Sequence, residues 1–385
     1  MATLSHEEFA SIMFNQSLFN YSDILIFDNS SSTVERTLSS ATLASEAAFK
    51  YGIFVITFFG TVGNLLSIAV FSRKCFRTTT TSIFVRVLAV FDTLTLWSYS
   101  LWDVSMYFHS DINSELLCKL LNWIMASAPH VASYTLLTVT LERLTAVIRP
   151  LRVHLLFTRR RAIVCSALTT SVPALYNSVY FYIFTQLPNG ECGVVTDLRR
   201  EFLTVWSYFD PIIGIIVPAI LIFILNITTI FAFRRSMRMR KAHVIKQFSN
   251  YKHETKNLVN GNHTEANKKL KIPTTKRNLL RDQSGHHLTV MLILVSLFYW
   301  ILMLPSGALF IAKIYWPNEA SADFKERMTR FYHVAYLLML SNSSLDFVLY
   351  AVTARKFRRE LSRVLLGCST RQRGIELTTT SNSYY

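Results

Sequence analysis

The sequence is poor in charged residues. Only 17% of its 385 residues are Asp, Glu, Lys or Arg, whereas about a quarter is typical of soluble domains. Hydrophobic residues reach 51% and are gathered into long runs. This composition excludes an ordinary soluble domain and makes a membrane protein the first hypothesis.

Glycine is also scarce, with 11 residues in the whole chain, and no internal repeat is visible. Transporters often combine repeats with broken, glycine-rich spans, so a transporter or channel is only an alternative. The sequence has no nucleophile–base pair, nucleotide-binding loop or metal-ligand spacing. We therefore do not expect an enzyme, and we expect no cofactor apart from the sodium ion considered below.

Seven apolar runs are each long enough for a helix that crosses a bilayer, which takes about 20 residues. They predict an all-α fold, a seven-transmembrane helix bundle over residues 48–352. We number the runs spans one to seven, with approximate bounds Phe49–Phe71, Ser82–Phe108, Leu117–Ile148, Ala162–Phe184, Val205–Phe233, His287–Ile314 and Thr329–Val352.

The chain is strongly basic, with a net charge of +16, and most of its 40 lysines and arginines follow spans one, three, five and seven. Basic residues favour the cytoplasmic side of a membrane. We therefore predict a multi-pass protein of the plasma membrane with its N-terminus outside. The charge is interpreted as a topology signal, and no nucleic-acid partner is expected.

Residues 1–47 lack the basic start and apolar core of a signal peptide, so span one is expected to carry the N-terminus across. This segment contains three glycosylation sequons, at Asn15, Asn20 and Asn29. Three sequons in one polar tail predict a glycosylated extracellular segment.

The five cysteines divide between the two sides of the membrane. Cys118 and Cys192 lie on the predicted outside, which is oxidising, so we predict a disulfide between them rather than two free thiols. On the inside, Cys368 follows a basic amphipathic stretch. It is a candidate for palmitoylation, and an inert thiol is the alternative.

Polar residues occur inside the spans at similar inferred depth: Asn64 in span one, Asp92 in span two, and Asn342, Ser343 and Asp346 in span seven. Ionisable groups within a membrane are costly and usually functional. We predict a shared hydrated pocket that holds a sodium ion between carboxylates, since hard cations prefer oxygen ligands. Interhelical hydrogen bonding is the alternative.

An acid and a base stand side by side at the cytoplasmic end of span three, Glu142 and Arg143. Pairing lowers the cost of a charge near the interface. A simpler interpretation is an arginine that snorkels from a helix end. A paired arginine is also a switch element, because movement of neighbouring helices releases it to a partner.

Taken together, these motifs resemble those of the rhodopsin-like (class A) G protein-coupled receptors. The likeness covers about residues 48–367 and includes "GTVGN", "LAVFD", Glu142-Arg143, Pro218, Pro305 and "NSSLDFVLYAVTARKFRREL". Within that family, "LERLTAVIRPL" and "LYNSVYF" are most similar to invertebrate FMRFamide-type neuropeptide receptors. The chain departs from the family pattern at Leu144, Met303 and Phe347, where Tyr, Trp and Pro are usual.

The resemblance implies an allosteric receptor. An outside ligand favours an open state in which span six pivots at Pro305, and a heterotrimeric G protein binds the cleft lined by Arg143 and Tyr350. Residues 368–385, rich in Ser and Thr, suit receptor kinases and arrestin, with generic disorder as the alternative.

For the ligand, the family implies an acid in span three for amines, and the corresponding residue is Met125. An opsin needs a lysine in span seven, where the chain has none. Acids near the outer ends of the spans, with aromatic neighbours, suit a peptide end such as Arg-Phe-amide. These pocket residues are Asp103, Tyr107, Asp210, Phe310, Tyr332 and Tyr336. A non-peptide or chemosensory ligand, and acids that serve only as hydrated helix caps, remain alternatives; His130 is expected to bond another helix.

Two segments flank the last spans. Residues 234–285 form a long basic loop low in aromatic residues, so we expect it to lack regular structure apart from ends that extend spans five and six and contact anionic lipid. Residues 353–367 place bases opposite Phe357, Leu361 and Val364. That pattern predicts a short amphipathic helix 8 on the inner membrane surface.

Overall fold

The computed structural model of the chain describes residues 40–77, 79–107, 114–149, 152–186, 192–195, 200–259, 275–314 and 322–366. Within these ranges, seven helices are long and apolar enough to cross a membrane, which confirms the predicted bundle. The spans are Ala44–Phe71, Thr80–Val104, Glu115–Ile148, Arg159–Ile183, Tyr208–Met239, Val290–Leu309 and Glu326–Thr353.

Helical backbone dominates because every N–H and C=O group inside a bilayer must be bonded within its own segment. The long helices are Ser40–Phe71, Thr80–Tyr107, Glu115–Ile148, Arg159–Tyr176, Arg200–Pro211, Val217–Val259, Thr275–Ile314 and Ala322–Thr353, and the terminal helix is Arg355–Leu365. Shorter helical turns are Lys74–Arg77, Val153–Leu156, Asn177–Val179 and Tyr180–Ile183. Side chains cap two spans at their starts, Ser114 before span three and Thr158 before span four.

The expectation of an irregular loop over residues 234–285 is wrong for much of that segment. The helix of span five continues to Val259, and the helix of span six begins at Thr275. Residues 234–259 contain no glycine or proline and many Arg, Lys, Met and Gln residues, which all favour helix. Low aromatic content removes a packed core without removing helix propensity. Span one also starts before residue 48, since its helix begins at Ser40.

A small hairpin covers one end of the bundle. Strand β1, Phe184–Gln186, pairs antiparallel with strand β2, Cys192–Val194, with Gln186 opposite Cys192. Cys192 is bonded to Cys118 at the start of span three, with 5.5 Å between the two Cα atoms. The predicted disulfide is thus confirmed. We call this the disulfide end of the bundle and the opposite end the Arg143 end.

Span one packs closely against spans two and seven through glycines. A Cβ atom on Gly60 would lie 2.5 Å from Leu96 Cδ1 and 2.7 Å from Ser344 Cβ, and one on Gly63 would lie 2.9 Å from Phe347 Cβ. Small residues let helix backbones approach in a membrane, where dispersion drives association. This side of the bundle is therefore fixed by shape.

Spans three and five are joined by a distortion in span five. Residues Ile212–Ile216 form a π-helical turn between Pro211 and Pro218, and Tyr134 of span three donates a 2.9 Å hydrogen bond to the Ile213 carbonyl. The His130 ring occupies the space that a side chain at Gly214 would fill. Single π turns are frequent at functional sites.

Candidate functional site

At the Arg143 end, the structure holds the acid–base pair against span two. Thr81 donates a 2.9 Å hydrogen bond to Glu142 Oε2, and Thr80 donates to Oε1. Arg143 Nη2 lies 3.9 Å from Glu142 Oε2 and donates to Thr81. Arg143 Nε has no hydrogen-bond partner within the described ranges. The arginine is half-buried, paired and incompletely satisfied, as a releasable group should be.

Tyr350 lies in a packed aromatic cluster. Its hydroxyl donates a 3.2 Å hydrogen bond to Asp346 Oδ2, and its ring contacts Phe71 and Phe357, with centroids 5.5 and 5.8 Å away. The tyrosine is 1% exposed. Span seven, span one and the terminal helix therefore meet around this side chain.

The predicted polar pocket is assembled in the centre of the bundle. Asn64 Nδ2 donates a 3.0 Å hydrogen bond to the Ser343 carbonyl, and Ser343 lines the same cavity as Asp92. Asp92 and Asp346 are both buried. Asn64 Oδ1 has no partner among the described residues. Asp92 of span two and Ser343 and Asp346 of span seven face a common space.

That space is a cavity of ≈ 20 Å³ lined by Asp92, Asn342, Ser343 and Asp346 from one side and by Ser133, Tyr299 and Met303 from the other. A cavity above roughly 10–15 Å³ holds a water molecule. Across the described residues, no group of three or more His, Cys, Asp or Glu side chains is placed to hold a metal ion.

At the disulfide end, Asp103 is closed off by aromatic side chains. It is 2% exposed, and Tyr336 donates a 3.1 Å hydrogen bond to its Oδ2 atom. The Tyr336 ring contacts Phe49 and Tyr332, at 5.2 and 5.6 Å between centroids. Spans one, two and seven thus bury this acid inside their own interface.

Asp210 has a more open setting beside span three. Tyr180 donates a 3.2 Å hydrogen bond to Oδ2, while Oδ1 has no hydrogen-bond partner in the described part of the chain. His130 Nε2 is 3.9 Å from Oδ1, beyond hydrogen-bonding distance. His130 bonds Asn177 through Nδ1 at 2.9 Å, which matches the expectation that this histidine contacts another helix.

The remaining pocket residues fall into two groups. Met125 packs beside the buried cluster around Trp102, Cys118 and Phe184, and Tyr332 packs beside the cluster around Phe49. The side chains of Tyr107 and Phe310 lie outside the described part of the structure, as do Asn15, Asn20, Asn29, Cys368 and the tail 368–385. Their proposed roles stay predictions.

The sequence reasoning missed two kinds of partner. Thr80 and Thr81 hold Glu142, and Tyr180 and Tyr336 bond the two acids at the disulfide end. The two threonines could have been predicted as partners, because they are hydroxyl residues at the start of span two, at the same end of the bundle as Glu142. The tyrosines carry none, because many tyrosines occupy the spans.

Comparison with known proteins gives one family and several relatives. Residues 63–350 match the family described as 7 transmembrane receptor (rhodopsin family). Galanin receptor type 2 of Rattus norvegicus is 32% identical over 133 residues, which is 34% of this chain and 36% of that receptor. The thyrotropin-releasing hormone receptor of Bos taurus is 21% identical over 333 residues, 84% of this chain and 78% of the receptor.

Growth hormone secretagogue receptor type 1 of Sus scrofa is 30% identical over 129 residues, 31% of this chain and 32% of that protein. The match to the galanin and secretagogue receptors thus spans about a third of their length. The finer resemblance to FMRFamide-type receptors stays a prediction.

Proposed function

The chain belongs to the rhodopsin family of seven-transmembrane receptors, and from this premise we propose that a short amidated neuropeptide activates it. The peptide binds at the disulfide end, and a heterotrimeric G protein binds at the Arg143 end. The observation that carries the proposal is the half-buried, partly satisfied Arg143, held against Glu142 and Thr81.

A peptide ligand is favoured over an amine. The position where amine receptors of this fold place an acid is Met125, and this residue packs beside an apolar cluster. The relatives are named for galanin, thyrotropin-releasing hormone and a growth hormone secretagogue. The disulfide end offers carboxylates among aromatic rings, which suits the guanidinium and aromatic groups of an Arg-Phe-amide end.

Transmission runs from the disulfide end to the Arg143 end. Pro305 interrupts the hydrogen-bond ladder of span six and favours a kink there. Outward movement of the Arg143 end of span six opens a cleft. Arg143 then gives up its hydrogen bond to Thr81 and binds the G protein. A ligand and a G protein that both prefer this open state raise each other's affinity.

The sidedness of the receptor follows from its charges. Exposed bases cluster at the Arg143 end, among them Arg73, Lys74, Arg77, Arg159, Arg160 and Arg161. We infer from this charge bias that the Arg143 end is cytoplasmic and that the disulfide end lies outside the plasma membrane. The terminal helix Arg355–Leu365 lies on the inner leaflet, where its bases meet anionic lipid. Receptor kinases and arrestin act on the tail 368–385, and Cys368 carries a palmitoyl group.

The central pocket binds an allosteric sodium ion. Asp92, Asp346 and Ser343 supply the oxygens, and Asn64 holds the Ser343 carbonyl from span one. Sodium in this cavity stabilises the closed state and lowers agonist affinity. Asp92→Asn should abolish the effect of sodium on agonist affinity, with potassium as the ionic-strength control. An unchanged sodium effect in this variant would place the ion elsewhere.

The test of the receptor proposal is a panel of amidated neuropeptides applied to cells that express the chain with a promiscuous G protein, with calcium as the readout. We expect a nanomolar response to at least one peptide, lost in Arg143→Ala and kept in Arg160→Ala, an exposed arginine at the same end. Peptide binding to Arg143→Ala should persist. Silence across the panel at confirmed surface expression, or full signalling by Arg143→Ala, would contradict the proposal.

A further inference from the structure

Two acids lie near the disulfide end, and Asp210 buries one carboxylate oxygen without a hydrogen-bond donor from the described residues. Asp103 is 2% exposed and bonded to Tyr336. The Asp210 side chain is 18% exposed and its Oδ1 atom makes no hydrogen bond to the described residues. A buried carboxylate oxygen without a donor is costly, so such an atom in a native protein usually has a reason.

His130 does not supply the missing donor, and its position is fixed from two sides. Asn177 holds the ring at Nδ1, 2.9 Å away. The opposite edge lies against Gly214, where even a Cβ atom would come within 1.7 Å of Nε2. The ring therefore stays 3.9 Å from Asp210 Oδ1. This oxygen is left without a hydrogen-bond donor from the described residues.

Further polar atoms next to Asp210 also lack partners. Asn177 is fully buried, and its Oδ1 atom has no hydrogen bond within the described ranges; the same holds for the Tyr176 hydroxyl. Both residues belong to the end of span four that also provides Tyr180. The Asp210 and Asn177 oxygens can only accept hydrogen bonds. The Tyr176 hydroxyl and the Trp206 Nε1–H, which also lacks a partner among the described residues, can donate. The two oxygens suit a ligand group with N–H donors.

Aromatic rings stand beside these atoms. Tyr176 stacks on Trp206 with 4.9 Å between centroids, and Tyr180 meets the same indole edge-on at 6.3 Å. Trp206 lies one helical turn before Asp210, so the indole and the carboxylate share one face of the helix. A planar cation stacks on such rings while it bonds a carboxylate through two donors.

We propose that Asp210 is the counter-ion for a guanidinium group of the ligand, in a site between spans three, four and five beside the stacked rings of Tyr176 and Trp206. Asp103 is a structural acid that stays bonded to Tyr336. This assignment rests on the proposed function in one respect, that the ligand is a peptide. It narrows the ligand to one whose arginine reaches span five.

Direct binding to the purified full-length receptor tests the site without a G protein. The probes are arginyl-phenylalanine amide and citrullyl-phenylalanine amide, which share a shape and differ in charge. Thermal unfolding is followed at rising probe concentration. The arginyl probe should raise the Tm of the wild type, and the citrullyl probe should bind at least about tenfold more weakly.

Variants separate the two acids. Asp210→Asn should lose the preference for the arginyl probe, whereas Asp103→Asn should keep it. Glu115→Gln, which removes an exposed acid paired with Lys119 at the same end, serves as the matched control. Asp210→Glu keeps the charge and should keep the preference, so a folding defect in Asp210→Asn alone would not be mistaken for a binding effect.

The outcomes distinguish the site from the receptor function. Equal shifts with both probes, no shift in the wild type, or a preference retained in Asp210→Asn would overturn the site. An arginyl preference that depends on Asp210, in a chain that no peptide activates, would support the site and contradict the proposed function. Activation by peptides that lack a cation would support the function and overturn the site.

Discussion

The side of the bundle formed by spans one, two and seven differs from the side formed by spans three, four and five. On the first side, glycines bring the helices into contact and Asp103 is enclosed with Tyr336. On the second side, span five contains a π turn, and one buried carboxylate oxygen of Asp210 has no hydrogen-bond donor among the described residues. Each side contains one acid near the disulfide end, and of the two only Asp210 has a carboxylate oxygen that lacks a donor among the described residues.

The difference shows how one fold divides stability from recognition. Close packing of small residues fixes one face of the bundle, and such a face does not rearrange cheaply. Unsatisfied polar atoms collect on the other face, where a ligand can supply their hydrogen bonds. The following variants test this division, in order of decreasing effect.

Gly60→Leu should cause the largest loss of stability. The new side chain has no room between Leu96 and Ser344, and overpacking of this kind costs about 3 kcal/mol or more. Surface expression and the Tm of purified receptor should both fall. Gly307→Ala is the control, because nothing lies within 4 Å of the added Cβ there; an equal loss in the two variants would refute the packing argument.

Gly214→Ala should destabilise the second side by about 2 kcal/mol, since its methyl group displaces the His130 ring. The double variant Gly214→Ala with His130→Ala relieves the clash. Its loss of Tm should therefore be smaller than the sum of the losses in the two single variants. A strictly additive double variant would mean that the ring does not fill the space beside Gly214.

Two tyrosine variants compare the acids directly. Tyr336→Phe leaves the buried Asp103 carboxylate without this donor and should cost about 1–2 kcal/mol of stability with little change in agonist potency. Tyr180→Phe should cost less stability and change agonist potency more, because its acid faces the ligand. Thermal unfolding and calcium dose–response curves give the two readouts; the reverse pattern would exchange the roles of the two sides.

A smaller effect is expected outside the membrane, where the terminal helix meets the turn after span one. Burial and, next, the Glu360 carboxylate raise the pKa of the Cys75 thiol, so its thiolate fraction near neutral pH is low. Glu360→Gln removes the second cause and lowers the pKa. Alkylation of Cys75 at a fixed pH below the pKa should then be a few-fold faster, measured by mass spectrometry in a Cys368→Ala background.

The same variant also loosens the turn, since Glu360 pairs with Arg73 at 3.6 Å. Glu326→Gln, a change at the far end of the bundle, controls for general destabilisation. A slower reaction in Glu360→Gln than in this control would contradict the electrostatic argument.

The sequence alone predicts the frame of the molecule. The seven spans, the pair Cys118 and Cys192, and Glu142 with Arg143 follow from hydropathy, compartment and charge placement. These features are local or depend on simple topology, so they need no knowledge of helix packing. The expected extensions of spans five and six are longer than predicted, to Val259 and from Thr275, because low aromatic content does not lower helix propensity.

The distinction between the two acids is not available from the sequence. Asp103 and Tyr336 are separated by 233 positions, and any of several tyrosines would satisfy the same pattern. Asp210 Oδ1 lacks a hydrogen-bond donor in the described part of the chain because of the π turn and because the His130 ring is seated beside Gly214. Such details arise from packing between spans, which periodicity does not encode.

Agonist potency in matched acid variants tests the central claim most directly. With the first peptide that activates the wild type, calcium dose–response curves are measured for Asp210→Asn and Asp103→Asn at equal surface expression. We predict that Asp210→Asn weakens potency by roughly 30-fold or more, as expected for loss of a partly buried charge pair, and that Asp103→Asn changes it little. A large loss confined to Asp103→Asn, or equal losses in both, would contradict the account.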